Sequence, residues 1–344
     1  MKPIIFKGKD SFAIGTQFGK IYKKNGFSVD WITINKTIYS QQLKIYKKYF
    51  PSFLDELRGI AIAGGYDLDM LQYSFIGNSV EWMMSTNRYT ATACSVFGLK
   101  KGTDLFVGRN YDWLPETEKV FCVYKTYNPK NYAHISVSDM NIYKKRIALT
   151  DQSYLPVDAL NEHGLYIGLT ASINNDWAYG LSSMHMIKLV AETCKNVAEA
   201  VRLFKKVPLN CAKNFFIADA QGNMVVVEHF SGLNLKIVKP KDDLLIQTNH
   251  YNDPEFSKQD KILLYRPTNT TFLRYYEILR EVNLRKKTFK QKHILEILNK
   301  EGSLLLQNTP TARSIWTLSF NMTKKQYVLH YDLFGKKKSL RLKI

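Results

Sequence analysis

From residue 94 onward the chain is written in short apolar runs: ACSVFGL, DLFVGRNYDW, VFCVYKTY, HISVSD, RIALTD and LYIGLTAS. Gly, Asp, Asn and Lys-rich turns separate them. Such runs read as strands. They give way to MHMIKLVAETCKNVAEAVRLFKKV, within 184–207, a stretch with helical spacing. Strands resume in NFFIADAQGNMVVVEHF, with Gln221-Gly222-Asn223 as its turn, and in LNLKIVKPKDDLLIQTNHY. TFLRYYEILREVN and KHILEILNK read as helices, and SIWTLSFNMTKKQYVLHYD follows as a hairpin-like pair. Strands grouped before and after paired helices predict an α+β sandwich and argue against a βαβ repeat.

The first 88 residues differ in texture and predict mainly helix. VDWITINKTIYSQQLKIYKKYF spaces its apolar and aromatic residues by three and four. Pro51 opens a second helix with Leu54, Leu57, Ile60 and Ala61 on one face, and Gly64-Gly65 ends it. Asp67-Leu68-Asp69 starts a further short one. No internal repeat, low-complexity segment or Pro/Ser-rich hinge divides the 344 residues, so one large domain or two smaller ones are expected.

Hydrophobic residues make up 45% of the chain, enough for a sizeable core. No apolar run approaches the roughly 20 residues of a membrane-crossing helix, so no integral membrane role is expected. The start, MKPIIFKGKDSFAIG, is too weakly apolar for an export signal, which makes the cytoplasm the expected compartment. Cys94, Cys122, Cys194 and Cys211 are widely spaced and include no CxxC pair. That spacing argues against a zinc site and a disulfide framework, and Cys194 and Cys211 read as core thiols. The net charge of +19 raises the question of an anionic partner. The lysines are spread widely, with the densest clusters at 285–292 (RKKTFKQK) and 336–343 (KKKSLRLK). Neither cluster carries a nucleic-acid motif, so the expected state is solvated surface and no nucleic-acid partner.

Cys94 is the candidate nucleophile. A thiol attacks carbonyls as a thiolate or with a base at its side. None of the seven histidines stands in a recognisable cysteine-protease signature. A different base exists if Cys94 becomes the first residue of a chain. Its own α-amine, with a reference pKa of roughly 7.7–8.0, then serves its side chain. Cleavage of the Ala93–Cys94 bond is the requirement, and the small Ala93 leaves room for the thiol to reach the preceding carbonyl. A lone cysteine after alanine is usually structural. Arg109 and Asp112 alter that reading, because a hairpin across the Lys100-Lys101-Gly102 turn brings them back beside Cys94. Asp112 can then orient the amine and Arg109 can place positive charge near the sulfur. The plainer alternative is a surface Arg–Asp pair of little energetic value.

The stretch from Cys94 to the Gly-Arg-Asn-Tyr-Asp-Trp of residues 108–113 resembles the start of the mature chain in N-terminal nucleophile (Ntn) hydrolases of the choloylglycine hydrolase and penicillin V acylase type. It is still more similar to the isopenicillin N acyltransferase relatives. Asn161-Glu162-His163-Gly164-Leu165, Thr248-Asn249-His250, Arg274 and the closing SIWTLSFNMTKKQYVLHYD also match that pattern, as do GTQFGK and LDELRGIAIAGG near the N-terminus. The resemblance thus covers nearly the whole chain. It implies a four-layer αββα sandwich with two stacked antiparallel sheets. It also implies self-cleavage into residues 1–93, mainly helical, and 94–344, which remain together as one structural domain. Cys94 is then the nucleophile and its amine the base. Asp112 positions that amine, Arg109 and Arg274 stabilise charge around the thiol, and the Asn249 side chain donates to the oxyanion. Leu169, Thr170 and Ala171 stand where some bile-salt enzymes carry an asparagine. A backbone N–H is therefore expected as the second donor, with Thr170 and Ala171 facing the substrate. His250 has no base role in that pattern. Taken alone, Asn249 is a turn residue, Arg274 a solvated helix residue and Asn161–Gly164 a β-turn.

The resemblance implies no metal or organic cofactor and a small-molecule amide or acyl substrate; an oligomer is possible. Three functions stay open. The first is an amidase working through a Cys94 thioester, with acyl transfer to an amine as the close variant. The second is a catalytically silent binding protein of the same fold, against which the set Cys94, Arg109, Asp112, Asn249 and Arg274 argues. The third is an anion- or nucleic-acid-binding protein, whose affinity falls steeply with salt.

Overall fold

A computed structural model describes residues 1–30, 32–78, 80, 93–139, 154–174, 176–266 and 268–344. The strand-like run at 146–151 and the last part of the helical block, 81–88, lie outside them. Two sheets form the centre. The first runs in the order β1 (Ile4–Lys7), β4 (Cys122–Asn128), β5 (Asn131–Ser138), β6 (Asp158–Asn161), β7 (Tyr166–Ala171), β8 (Lys213–Ala218), β9 (Met224–His229) and β10 (Leu235–Val238). The second runs β11 (Leu244–Gln247), β2 (Ser95–Lys101), β3 (Asp104–Trp113), β12 (Arg313–Asn321), β13 (Gln326–Tyr331) and β14 (Lys338–Arg341). Among the described strands, the β1–β4 pair is parallel and every other pair is antiparallel.

The alternation along β2 and β3 produces two cores. Val96, Leu105, Val107 and Tyr111 point between the sheets. Phe97, Leu99 and Phe106 point the other way, onto helices α7 (Thr271–Arg285) and α8 (Lys292–Leu298). Gly98 lets the sheets approach: a Cβ there would lie 2.4 Å from the Met224 sulfur and 2.8 Å from the Phe216 ring. On the outer face of the first sheet lie α1 (Ser11–Lys24), α5 (Ser183–Thr193) and α6 (Val197–Phe204). Behind α1 pack α2 (Lys36–Tyr49), α3 (Pro51–Gly64) and α4 (Leu68–Ile76). The α+β sandwich expected from the sequence is the fold observed.

Several boundaries differ from the sequence reading. The N-terminal segment contributes β1 to the first sheet as well as its helices. Phe6 on that strand stacks on Phe18 of α1 with ring centroids 4.1 Å apart, which ties the segment down through buried aromatic surface. The helical stretch at 184–207 is two helices. Cys194 is extended between them, and the Asn196 side chain caps the second by accepting from the Glu199 N–H. The run LNLKIVKPKDDLLIQTNHY leaves the first sheet as β10 and enters the second as β11. The basic cluster at 336–343 contains β14, where its lysines and arginine line a sheet edge that they keep charged.

Candidate active site

The β2–β3 hairpin sets the register of the site. Ser95 pairs with Asn110 and Val96 with Arg109, so Cys94 lies beside the end of β3. Its sulfur is 3.8 Å from the Asp112 carbonyl oxygen, in hydrogen-bonding geometry, and Cys94 is buried, as is Ala93 before it. The expected return of Arg109 and Asp112 to the cysteine is the observed one.

Arg109 is fully buried between the sheets. Its Nε donates to both carboxylate oxygens of Asp158 on β6, at 2.8 and 3.0 Å, and its Nη1 donates to the Leu169 carbonyl at 2.6 Å. Asp158 also accepts from Tyr166 Oη at 2.7 Å and from Trp316 Nε1 at 3.1 Å. Burial works against the guanidinium charge, and the Asp158 carboxylate overrides it, so Arg109 is held above its ordinary value. Among the described residues Nη2 of Arg109 has no hydrogen-bond partner. Gly168 opposite Asp158 makes the pair possible: a Cβ there would sit 2.2 Å from Asp158 Oδ1 and 2.4 Å from the Tyr166 hydroxyl.

Arg274 comes from the opposite side. Thr248-Asn249-His250, just after β11, is knotted to the first residue of α7. Thr271 Oγ1 accepts from the Asn249 N–H at 2.9 Å and lies 2.9 Å from both Thr248 Oγ1 and His250 Nδ1. One turn later Arg274 projects inward. Nη1 donates to the Cys94 carbonyl at 2.6 Å and to Ser95 Oγ at 2.9 Å, and Nη2 donates to Asn249 Oδ1 at 2.8 Å. A guanidinium only donates, so it settles which end of the Asn249 amide faces it. The Asn249 Nδ2 donates to the Ala171 carbonyl at 2.9 Å, which uses one of its two hydrogens.

Asp112 completes the group. Its Oδ1 accepts from Ser314 Oγ at 2.6 Å, and its Oδ2 is buried with no hydrogen-bond partner among the described residues. Burial pushes this carboxyl up to about 7, against the pull of Ser314, Arg274 and Arg109. Burial also pushes the Cys94 thiol up, opposed first by Arg109. Arg274 is lowered to about 10 by burial and stays charged at neutral pH. The sulfur is therefore held as a thiol beside two guanidinium groups.

The remaining expected residues take supporting positions. Thr170 is buried and donates to the Thr248 carbonyl at 2.6 Å, joining β7 to the Asn249 segment. The Leu169 N–H is spent on the Val157 carbonyl. His250 is driven down to about 4 by burial, then by Arg274. Asn161 builds its own turn, accepting from the His163 and Leu165 N–H groups, while its Nδ2 donates to the Ala191 and Cys194 carbonyls at the end of α5. Asp158, Ser95, Ser314 and Thr271 were not singled out from sequence. The strand pattern alone could have marked Asp158, a carboxylate within an apolar run.

The family model for acyl-coenzyme A:6-aminopenicillanic acid acyl-transferase matches residues 99–332, a range that spans Arg109, Asp112, Asn249 and Arg274. Among solved structures, penicillin V acylase from Agrobacterium tumefaciens is similar at 16% identity and a TM-score of 0.50, covering 72% of this chain and 86% of that one. A substitution variant of conjugated bile acid hydrolase from Clostridium perfringens is similar at 13% identity and a TM-score of 0.50, covering 72% and 92%. No curated protein sequence matches the chain. The two structures show the Ntn-hydrolase sandwich as a shared fold, and the matched sequence range shows the lineage: the chain belongs to the acyl-coenzyme A:6-aminopenicillanic acid acyl-transferase family.

Proposed function

We propose that this protein is an autoprocessed cysteine amidase that cuts its own Ala93–Cys94 bond and then cleaves a linear amide of a small molecule through a thioester on Cys94. The observation that carries the reading is the Arg274 guanidinium, which joins the Cys94 carbonyl to the Asn249 amide across 180 and 25 residues of chain. An ion buried this completely is costly. Its partners here are the atoms an acyl-transfer site needs around the nucleophile.

In processing, the Cys94 sulfur attacks the Ala93 carbonyl carbon, the C–N bond breaks, and the Cys94 nitrogen takes up a proton. Water then hydrolyses the Ala93 thioester, leaving a carboxylate on residue 93 and a free amine and thiol on residue 94. The unpartnered Asp112 Oδ2 supports a role as acceptor for that amine. In turnover the amine takes the thiol proton as sulfur attacks the substrate carbonyl. The remaining Asn249 N–H and a backbone N–H near Ala171 hold the oxyanion. The amine then protonates the leaving nitrogen. Arg109 Nη2 supplies positive charge toward the sulfur, and Ala171 borders the acyl group.

Water or an acceptor amine can take the acyl group from the thioester. The family description favours transfer, and the acylase and hydrolase folds favour water, so acyl transfer is the second reading. Residues 1–93 and 94–344 stay together as two chains of one domain. Among the described residues the four cysteines are buried and form no disulfide, which suits a reducing cytoplasm. No described helix is long and apolar enough to cross a membrane. N-terminal sequencing and intact mass test the proposal. A chain beginning at Cys94 is expected, with Cys94→Ala remaining at 39.9 kDa. A wild-type protein that stays at 39.9 kDa and is inert to thiol-directed acyl probes overturns it.

A further inference from the structure

We propose that the outer face of α7 docks the protein on an anionic lipid bilayer. The helix is two-faced. Inward it presents Arg274, Ile278 and Val282, all buried. Outward it presents Phe272, Leu273, Tyr276, Arg280 and Leu284, which fall within about a third of the circumference at ~100° per residue. Leu273 is 60% exposed, Tyr276 63% and Leu284 74%. The short helix before it adds Leu264 at 73%. Single exposed apolar residues need no explanation, but a contiguous stripe marks an interaction site.

The charge beside the stripe selects the occupant. Arg280, Arg285 and Lys300 all converge on one carboxylate, Glu281, leaving a local excess of positive charge. Lys287 and Lys290 follow between α7 and α8, both exposed, while Lys292 at the start of α8 pairs with Glu296. An apolar stripe with aromatic residues and a basic margin is the pattern of a helix lying in the bilayer interface. A nucleic acid would use the cations and leave the leucines in water. Because Arg274 occupies the buried side of the same helix, docking would set the Cys94 site at the membrane surface.

Flotation with vesicles of phosphatidylcholine alone and of phosphatidylcholine with phosphatidylglycerol tests this, and its readout is independent of catalysis. Binding is expected to the anionic vesicles. The double variant Leu273→Ser/Leu284→Ser is expected to lose at least about tenfold in partitioning, and Arg280→Glu/Lys287→Glu to lose the preference for anionic lipid. Both pairs are exposed, and circular dichroism confirms that each variant is folded. Four results overturn the proposal: no vesicle binding by the parent, unchanged binding by the leucine variant, RNA retention without vesicle binding, or a parent dimer that the leucine variant splits without vesicle binding.

Discussion

Arg274 Nη2 and Asn249 Oδ1 are joined by a 2.8 Å hydrogen bond. The guanidinium thereby turns the amide nitrogen of Asn249 toward the Ala171 carbonyl, and the second N–H of that amide is the one the proposed mechanism gives to the oxyanion. Asn249→Ala should lower kcat of the processed enzyme by about 10²–10³, with a smaller change in KM. Steady-state kinetics on a linear amide substrate check it, and a raised KM with unchanged kcat would remove Asn249 from the oxyanion role.

Asp158 is the counter-ion that lets Arg109 be buried. Asp158→Ala leaves that guanidinium uncompensated and should cost about 3–5 kcal/mol of stability. Asp158→Asn, which keeps the shape and one acceptor oxygen for either Tyr166 or Trp316, should cost less. Urea unfolding of the two variants in the Cys94→Ala background measures the difference. Similar losses for both would mean that the charge, which both variants remove, is what the site requires, and that the shape Asn keeps contributes little.

Gly168→Ala attacks the same pair from the neighbouring strand. The added methyl meets Asp158 Oδ1 and the Tyr166 hydroxyl, both closer than any real contact allows. A loss of about 1–3 kcal/mol is expected from the forced displacement, together with slower processing. A Gly168→Ala chain that processes at the parent rate would show that the Arg109–Asp158 geometry does not govern the cysteine.

Asp112 predicts a pH dependence. Its folded value of about 7 lies above the ordinary carboxyl near 3.9. Between those limits the folded chain holds a proton that the unfolded chain has shed. Stability from this group is therefore greatest below about pH 4 and falls as pH rises to about 7, by at most ~1.4 kcal/mol per pH unit. Asp112→Asn should remove that portion of the slope. Urea midpoints of Cys94→Ala with and without Asp112→Asn, taken at about pH 5 and about pH 8, decide the matter; parallel trends in the two chains contradict the assignment.

Lys188 holds the two proposed chains together. Its Nζ lies 3.1 Å from Glu56 Oε2 on α3 and 2.6 Å from Glu192 Oε1 on its own helix, all three buried. Lys188→Met leaves two buried carboxylates without their cation and should cost about 3–5 kcal/mol. In processed protein, residues 1–93 should dissociate at lower denaturant than in the parent, as read by size-exclusion chromatography. Retention of the segment at the parent's denaturant concentration would assign its anchoring to β1 and the aromatic core.

Much of the architecture was legible because it depends on local alternation. DLFVGRNYDW predicts a strand and is β3 over its full length, and the Gln221–Asn223 turn joins β8 to β9 as expected. The Cys94–Arg109–Asp112 neighbourhood was also legible, since a hairpin fixes which residues face each other. β1 was hidden because its four residues pair with β4, more than a hundred positions away, and carry too short a pattern to announce a strand. Cys194 broke a helix whose apolar spacing runs on through it, because capping by Asn196 outweighs the pattern.

The sequence by itself determined the α+β class, the order of the elements and which residues have the chemistry for an acyl-transfer site, because periodicity, turn residues and side-chain type are properties of short segments. Only the tertiary structure decided that Arg109 answers to Asp158, that Arg274 reaches Asn249 and the Cys94 carbonyl, and that one apolar face of α7 is left exposed. Those outcomes depend on how distant strands and helices are brought within hydrogen-bonding range and which charges burial forces to find partners, and no local pattern encodes either.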